Sequence, residues 1–120
     1  MASEREATAR RRRHLREQMR ALAFGPLMRG SLVERLRKCG RSNCVCARDA
    51  GARHGGLFLT VHLHGRTRAV HVRPEDEAHV RSAIAAYTRL WTTLNGLTEC
   101  ALADLKRQAR ERRRARQRRQ

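Results

Sequence analysis

The chain has 120 residues, with 28 Lys plus Arg against 11 Asp plus Glu and a formal net charge of +17. That balance excludes the near-neutral surface of an ordinary small-molecule enzyme, and the length allows a modest core with no room for a large internal active-site cavity. No run approaches the ~18–20 apolar residues of a membrane span or has the shape of a secretory leader, so the four cysteines are expected in a reducing compartment, the cytoplasm.

Residues 4–23 read as a helix, with Ser3 as N-cap, Glu4 and Glu6 at the positive end of the dipole, and Gly25-Pro26 closing it. Its apolar stripe is thin, only Leu15, Met19 and Leu22, while Arg10, Arg11, Arg12 and Arg13 surround it with charge. The first half is therefore expected to fray unless it meets a partner. Gly30 to Arg37, with Leu32 and Leu36 about Glu34, is assigned as a candidate third strand.

Next comes Cys39, Cys44, Cys46 and His54 in the spacing C-x4-C-x-C-x7-H. Three soft thiolates and an imidazole within one polar segment match a closed structural zinc set, four tetrahedral bonds replacing a core the segment lacks. His62 or His64 could take the place of His54, and Cys100 reads as a packing residue. A catalytic zinc would need an open position and a general base in a recognisable frame, and the sequence offers neither, so the chain is not expected to be an enzyme.

Leu57, Leu59, Val61 and Leu63 alternate with Phe58, Thr60, His62 and His64, and Val70 and Val72 resume the alternation after Gly65. A two-residue turn at His64-Gly65 predicts a hairpin that opposes Leu59 to Val70 and Leu57 to Val72. The other side would present Phe58, His62, Thr67 and His71 to solvent or to nucleic acid. Pro74-Glu75-Asp76-Glu77 starts a long helix with the stripe Val80, Ile84, Tyr87, Trp91, Leu94, Thr98, Ala101 and Leu105. Asn95-Gly96 is expected to kink or break it, and Tyr87 and Trp91 are expected in its core face. From Lys106 onward the only apolar type is Ala, which argues against membrane binding and for an arm that orders on a polyanion.

The expected architecture is α+β: an N-terminal helix, a zinc-stapled loop, a small antiparallel sheet made of a hairpin plus a candidate third strand, and a long C-terminal helix. The segments are a basic helix over 1–26, a zinc-loop, hairpin and helix domain over 27–105, and an Arg-rich tail over 106–120.

Arg29-Gly30-Ser31-Leu32, Cys39-Gly40, Cys44-x-Cys46-Ala47, His54-Gly55, Gly65-Arg66-Thr67-Arg68 and Tyr87-x-Arg89-Leu90 together resemble a family of short, uncharacterised bacterial and archaeal proteins with the pattern RGSL…CGxxxCxCA…HGP. The resemblance covers roughly residues 27–95. It implies a zinc-type module followed by sheet and helix, association with transposon-like neighbourhoods, and Cys39, Cys44, Cys46 and His54 as the matching motif residues. It implies no activity. The chain departs from the pattern at Gly56, where the family has Pro, and at Leu57 and Phe58, where Tyr is common, which weakens any base-stacking role for that strand.

The charge points to nucleic acid, DNA or RNA, contacted at phosphates by Arg10, Arg11, Arg12, Arg13, Arg66, Arg68, Lys106, Arg107, Arg110, Arg112, Arg113, Arg114 and Arg116. A competing reading is a protein interaction or assembly module, in which the 80–105 helix forms a homodimer or docks on a larger protein.

Overall fold

The computed structural model describes residues 3–120; Met1 and Ala2, the start of the basic N-terminal segment, lie outside the described residues. The elements are α1 (Glu4–Ala23), β1 (Ser31–Arg37), β2 (His54–Leu63), β3 (Arg66–Val72) and α2 (Glu77–Arg119), in the α+β arrangement expected. They fall into two compact units, one of residues 27–85 and one joining the segment up to Pro26 with residues 86–120.

In the first unit a three-stranded antiparallel sheet has the order β1-β2-β3. The hairpin has the register its alternation demands, Leu57 opposite Val72 and Leu59 opposite Val70. His64 and Gly65 both have positive φ, 53° and 76°, the left-handed pair that a two-residue turn between right-twisted strands requires. The candidate third strand is present: β1 lies on the other side of β2, with Leu32 opposite Leu59 and Arg37 opposite His54. A 3-10 turn at Pro74–Asp76 leads into α2, and there Val80 packs with Leu59 and Val72. Met28, Leu32, Leu57, Val61 and Ile84 surround that small cluster.

Phe58 corrects an expectation. It lies on the sheet side opposite Leu59, yet it is only 7% exposed. The His71 ring meets it edge-on at a centroid distance of 5.3 Å, and the Arg37 guanidinium stands 5.2 Å from its centroid. Edge-to-face and cation–π contacts hold the ring inside that cover rather than offering it to a base. On the same face His62 Nδ1 and Thr67 Oγ1 are hydrogen-bonded at 2.9 Å.

The second unit is an antiparallel helix pair, α1 against the part of α2 beyond Ala85. Here α1 is helical from Glu4, not frayed. Ser3 and Glu6 form a reciprocal capping box, and the helix is tied to α2 by Arg110–Glu4, Arg11–Glu99 and Arg12–Asp104 ion pairs. The expected break at Asn95-Gly96 is absent, because α2 runs unbroken from Glu77 to Arg119. Gly96 is buried, and a Cβ there would stand 3.1 Å from a Leu15 methyl, so the missing side chain lets the two helices approach. The packing contributed by α1 outweighs the ~1 kcal/mol propensity cost of a mid-helix glycine.

Packing of α1 also changes which face of α2 is inside. Thr93, Gly96 and Cys100 are buried, with Ala103, Asp104 and Arg107 continuing the same three-four spacing at intermediate exposure. The stripe of large residues expected in the core therefore points the other way. Trp91 is 56% exposed, Leu94 39%, Leu102 47% and Leu105 56%. The segment expected to await a polyanion is helical as well: Lys106 to Arg119 extends α2, and Arg107 and Arg110 anchor its first turns.

Asp104 is the electrostatic centre of this pair. Arg107 Nη1 donates to Asp104 Oδ1 at 2.8 Å and Arg12 Nη2 donates to Oδ2. The Arg107 hydrogen bond, reinforced by Arg12, holds the carboxyl below its ordinary value against the opposing effect of desolvation. A carboxylate with a depressed folded pKa stabilises fully above its unfolded value, ~3.9, and loses that contribution as pH falls through the lower folded value. Asp104→Asn is therefore expected to lower the melting temperature at neutral pH, with the gap to the unsubstituted chain closing below about pH 4. Thermal melts over a pH series at fixed ionic strength check this, and a gap independent of pH would show that the charge is not what ties Asp104 to its arginines.

Candidate metal centre

Strand pairing builds this site. Because β1 and β2 are antiparallel and end on the Arg37–His54 pair, the chain leaves the sheet and re-enters it at one place. Cys39 therefore starts beside His54, and the intervening segment has to fold back on itself. Two 3-10 turns, Val45–Ala47 and Ala50–Ala52, accomplish that. The Asp49 carboxylate accepts the Gly51 N–H at 3.0 Å to shape the second turn, and the Cys44 N–H donates to the Arg41 carbonyl at 3.2 Å to shape the approach to the first.

The result places the ligand atoms of Cys39, Cys44, Cys46 and His54 all within 4.8 Å of one another. Cys44 Sγ lies 3.5 Å from His54 Nε2, and Cys46 Sγ lies 3.5 Å from Cys39 Sγ. With metal–sulfur bonds of ~2.3 Å, the edge of a tetrahedral thiolate site is ~3.8 Å, so these separations suit four ligands on one ion. His54 joins the thiols, and His62 and His64 stand apart on the hairpin.

Burial is graded across the four residues. Cys46 is buried, Cys44 intermediate, and Cys39 and His54 exposed. The Cys39 backbone N–H donates to Cys46 Sγ at 3.3 Å, the kind of contact that stabilises a coordinated thiolate. The thiols perturb one another: hydrogen bonds from Cys46, backbone first, hold the Cys44 thiol below its ordinary value. For Cys46 the Cys39 backbone bond acts downward, but burial and the two neighbouring thiols outweigh it and push the thiol up. Cys46 is therefore the thiol that resists deprotonation, and a cation at the cluster would favour its thiolate. The segment also carries Lys38, Arg41, Arg48 and Arg53 against a single acid, Asp49, so the excess negative charge of a three-thiolate site would sit among arginines.

A family profile described as a domain of unknown function, DUF6788, matches residues 5–82. The chain belongs to the DUF6788 family. No curated protein and no solved structure matches it. The DUF6788 match takes in α1 from Arg5 onward, all four cluster residues and the whole sheet, and ends at Ser82 near the start of α2. The exposed stripe from Trp91 to Leu105 and the Arg-rich end of α2 lie beyond it.

The basic residues named from the sequence divide into two groups. Arg11, Arg12, Arg107 and Arg110 are engaged with Glu99, Asp104, Glu111 and Glu4. Arg107 and Arg12 are the more buried, with side chains 14% and 25% exposed, and they serve the helix pair. Arg10, Arg13, Arg66, Arg68, Lys106, Arg112, Arg113, Arg114 and Arg116 are exposed or half-buried at the surface. Sequence reasoning overlooked Asp104, whose signal was a lone acid within the apolar stretch Ala101 to Leu105, three residues before Arg107. Among the described residues no helix is long and apolar enough to cross a membrane.

Proposed function

We propose that the chain is a small zinc-binding accessory protein of the cytoplasm that binds nucleic acid through phosphate contacts and catalyses no reaction of its own. Zinc is the metal favoured by a donor set of three thiolates and one imidazole, and its role at the β1–β2 junction would be structural. The observation that carries the nucleic-acid reading is the exposed cluster Arg112, Arg113, Arg114 and Arg116 around the last turns of α2, with Glu111 as the one acid nearby. A helical cationic arm of this kind presents several guanidiniums to a phosphate backbone without the cost of ordering itself. Arg10, Arg13, Arg66 and Arg68 add cations elsewhere. The cover over Phe58 favours backbone contact over base stacking. The association with mobile elements that the sequence resemblance implies would make DNA the partner at hand.

Binding of a fluorescent duplex across a salt series is the test. Affinity is expected to fall steeply with salt, and changing Arg112, Arg113 and Arg114 to Gln is expected to flatten the log–log slope by about 2–3, at ~0.9 for each phosphate no longer neutralised. A flat salt dependence, or an unchanged slope in the triple variant, would remove the nucleic-acid reading.

A second reading, an interaction module, is favoured by one specific observation, the exposure of Trp91, Leu94, Leu102 and Leu105 on α2. It needs no polyanion.

A further inference from the structure

We infer that the side of the sheet that carries Phe58 is a docking surface for a nucleic-acid backbone, with Arg35 and Arg37 as its phosphate contacts. The inference rests on the nucleic-acid reading and deepens it, giving the unit of residues 27–85 a contact surface of its own in addition to the arginines at the end of α2.

The strand register assigns the residues of this side. Val33, Phe58 and His71 lie opposite one another across the three strands, Arg35 lies opposite Gly56, Arg37 opposite His54 and His62 opposite Thr67. No strand residue on this side is acidic. Glu34, the one acid in the three strands, falls on the other side with Leu57. Glu75, Asp76 and Glu77 begin the helical segment whose Val80 packs against Leu59 on that other side. Asp49, the single acid of the metal loop, is tied to the Gly51 N–H. A zinc ion among three thiolates would leave the neighbouring cluster net negative, and Lys38, Arg41, Arg48 and Arg53 outweigh it.

The two arginines are free to meet a ligand. Both are exposed, and among the described residues neither has a carboxylate partner, unlike Arg11, Arg12, Arg107 and Arg110. Gly56 sets no side chain across from Arg35. The Arg37 guanidinium stands 5.2 Å from the Phe58 centroid, a contact that orients it and leaves N–H groups for an acceptor. Two residues apart on one strand, the two side chains leave the sheet ~6.6 Å from each other, within reach of phosphates spaced ~3.4 Å apart along the axis of one DNA strand. His62 and His71, also exposed, add ring nitrogens to the same surface.

The exposed chemistry identifies the occupant. Phe58 is covered, and Val33, 38% exposed, is the one large apolar side chain open on this side among the described residues. A protein partner requires an apolar centre to its interface, and a bilayer requires an apolar face to enter it; this surface has neither. A nucleic-acid backbone requires cations and hydrogen-bonding groups spread over a surface, and protein–DNA interfaces are accordingly more polar and more positively charged than protein–protein ones.

Binding of a fluorescent duplex to the full metal-loaded chain over a salt series is the first test. Arg35→Gln should reduce the log–log slope by ~0.9, both in the parent and in the Arg112→Gln, Arg113→Gln, Arg114→Gln variant, and Arg35→Lys should keep the parent slope. Because Arg35 is exposed with glycine opposite, Arg35→Gln should leave the melting temperature unchanged, which separates lost binding from lost folding. Histidine carbethoxylation mapped by mass spectrometry with and without the duplex is the second test. His62 and His71 should be protected, while His79, on the helix that packs against the other side of the sheet, should react as in the free chain. A duplex whose binding responds to the arm substitutions but not to Arg35→Gln, with no protection of His71, would overturn this surface and leave the arm standing. A slope that responds to Arg35→Gln but not to the arm substitutions would support this surface and remove the arm. A duplex that does not bind would overturn both, and protection of His62 and His71 by polyglutamate as strong as that by the duplex would make an acidic polypeptide the occupant and overturn the inference.

Discussion

Removing the metal is expected to collapse the segment between β1 and β2. The main hydrophobic cluster of residues 27–85 is small, three buried side chains with five partly buried neighbours. Each fully buried aliphatic side chain contributes ~1.5–3 kcal/mol before conformational entropy is subtracted. Structural zinc in small domains contributes ~10–16 kcal/mol of apparent binding free energy, which is then folding free energy. Apart from its turn hydrogen bonds the segment from Lys38 to Arg53 has little support, since Cys46 is its one buried residue. Elemental analysis should give one zinc per chain, and Cys46→Ser should abolish it. Chelation should lower the melting temperature and make the 38–53 segment the first site of limited proteolysis. Retained zinc in the Cys46→Ser chain, or the same melting profile with and without chelator, would defeat the structural role.

Replacing Gly96 by leucine is expected to undock α1. A Cβ at that position already falls 3.1 Å from one Leu15 methyl and 3.3 Å from the other, and three further carbons have no space between the helices. Overpacking of this kind costs ~1–3 kcal/mol where the surroundings can yield. Here α1 has little with which to resist, because Leu15, Met19 and Leu22 are only partly buried and no residue of α1 is fully buried. Once displaced, a twenty-residue helix crowded with arginines is marginal alone. Gly96→Leu should therefore lose helical signal as well as stability in denaturant titrations. Gly96→Ala should be near neutral, the ~1 kcal/mol propensity gain offsetting a small shift of the flexible Leu15 terminus. Equal stability of the leucine variant and the parent would show that close approach at Gly96 does not hold the pair together.

Local chemistry made the hairpin and the metal cluster legible in the sequence. Strict alternation about His64-Gly65 fixes a register, and four soft ligands close together in an otherwise polar segment have few other uses. The buried face of α2 was not legible in the same way. Side-chain bulk suggested the stripe through Trp91 and Leu94, whereas the helix packs on α1 through Thr93, Gly96, Cys100 and Ala103. The readable signal was the three-four spacing of those small residues, and Asn95-Gly96 obscured it by looking like a breaker. Phe58 was misplaced for a related reason. Period-two alternation assigns it to a side of the sheet, but the Arg37 and His71 contacts that cover it arise only when the strands are assembled.

The pairing of Arg37 with His54 at the mouth of the metal loop has a consequence for the fidelity of folding. A strand of alternating pattern can slip along its neighbour, and a slip of one residue turns every side chain to the wrong side. β1 is exposed over most of its length and has little hydrophobic preference to oppose such a slip. Four ligands around one ion would tolerate no such displacement: moving Cys39 by one strand step, ~3.3 Å, would take its sulfur out of reach of an ion held by His54. Capture of the metal would thus act as a proofreading step, accepting only the alignment in which Leu32 meets Leu59.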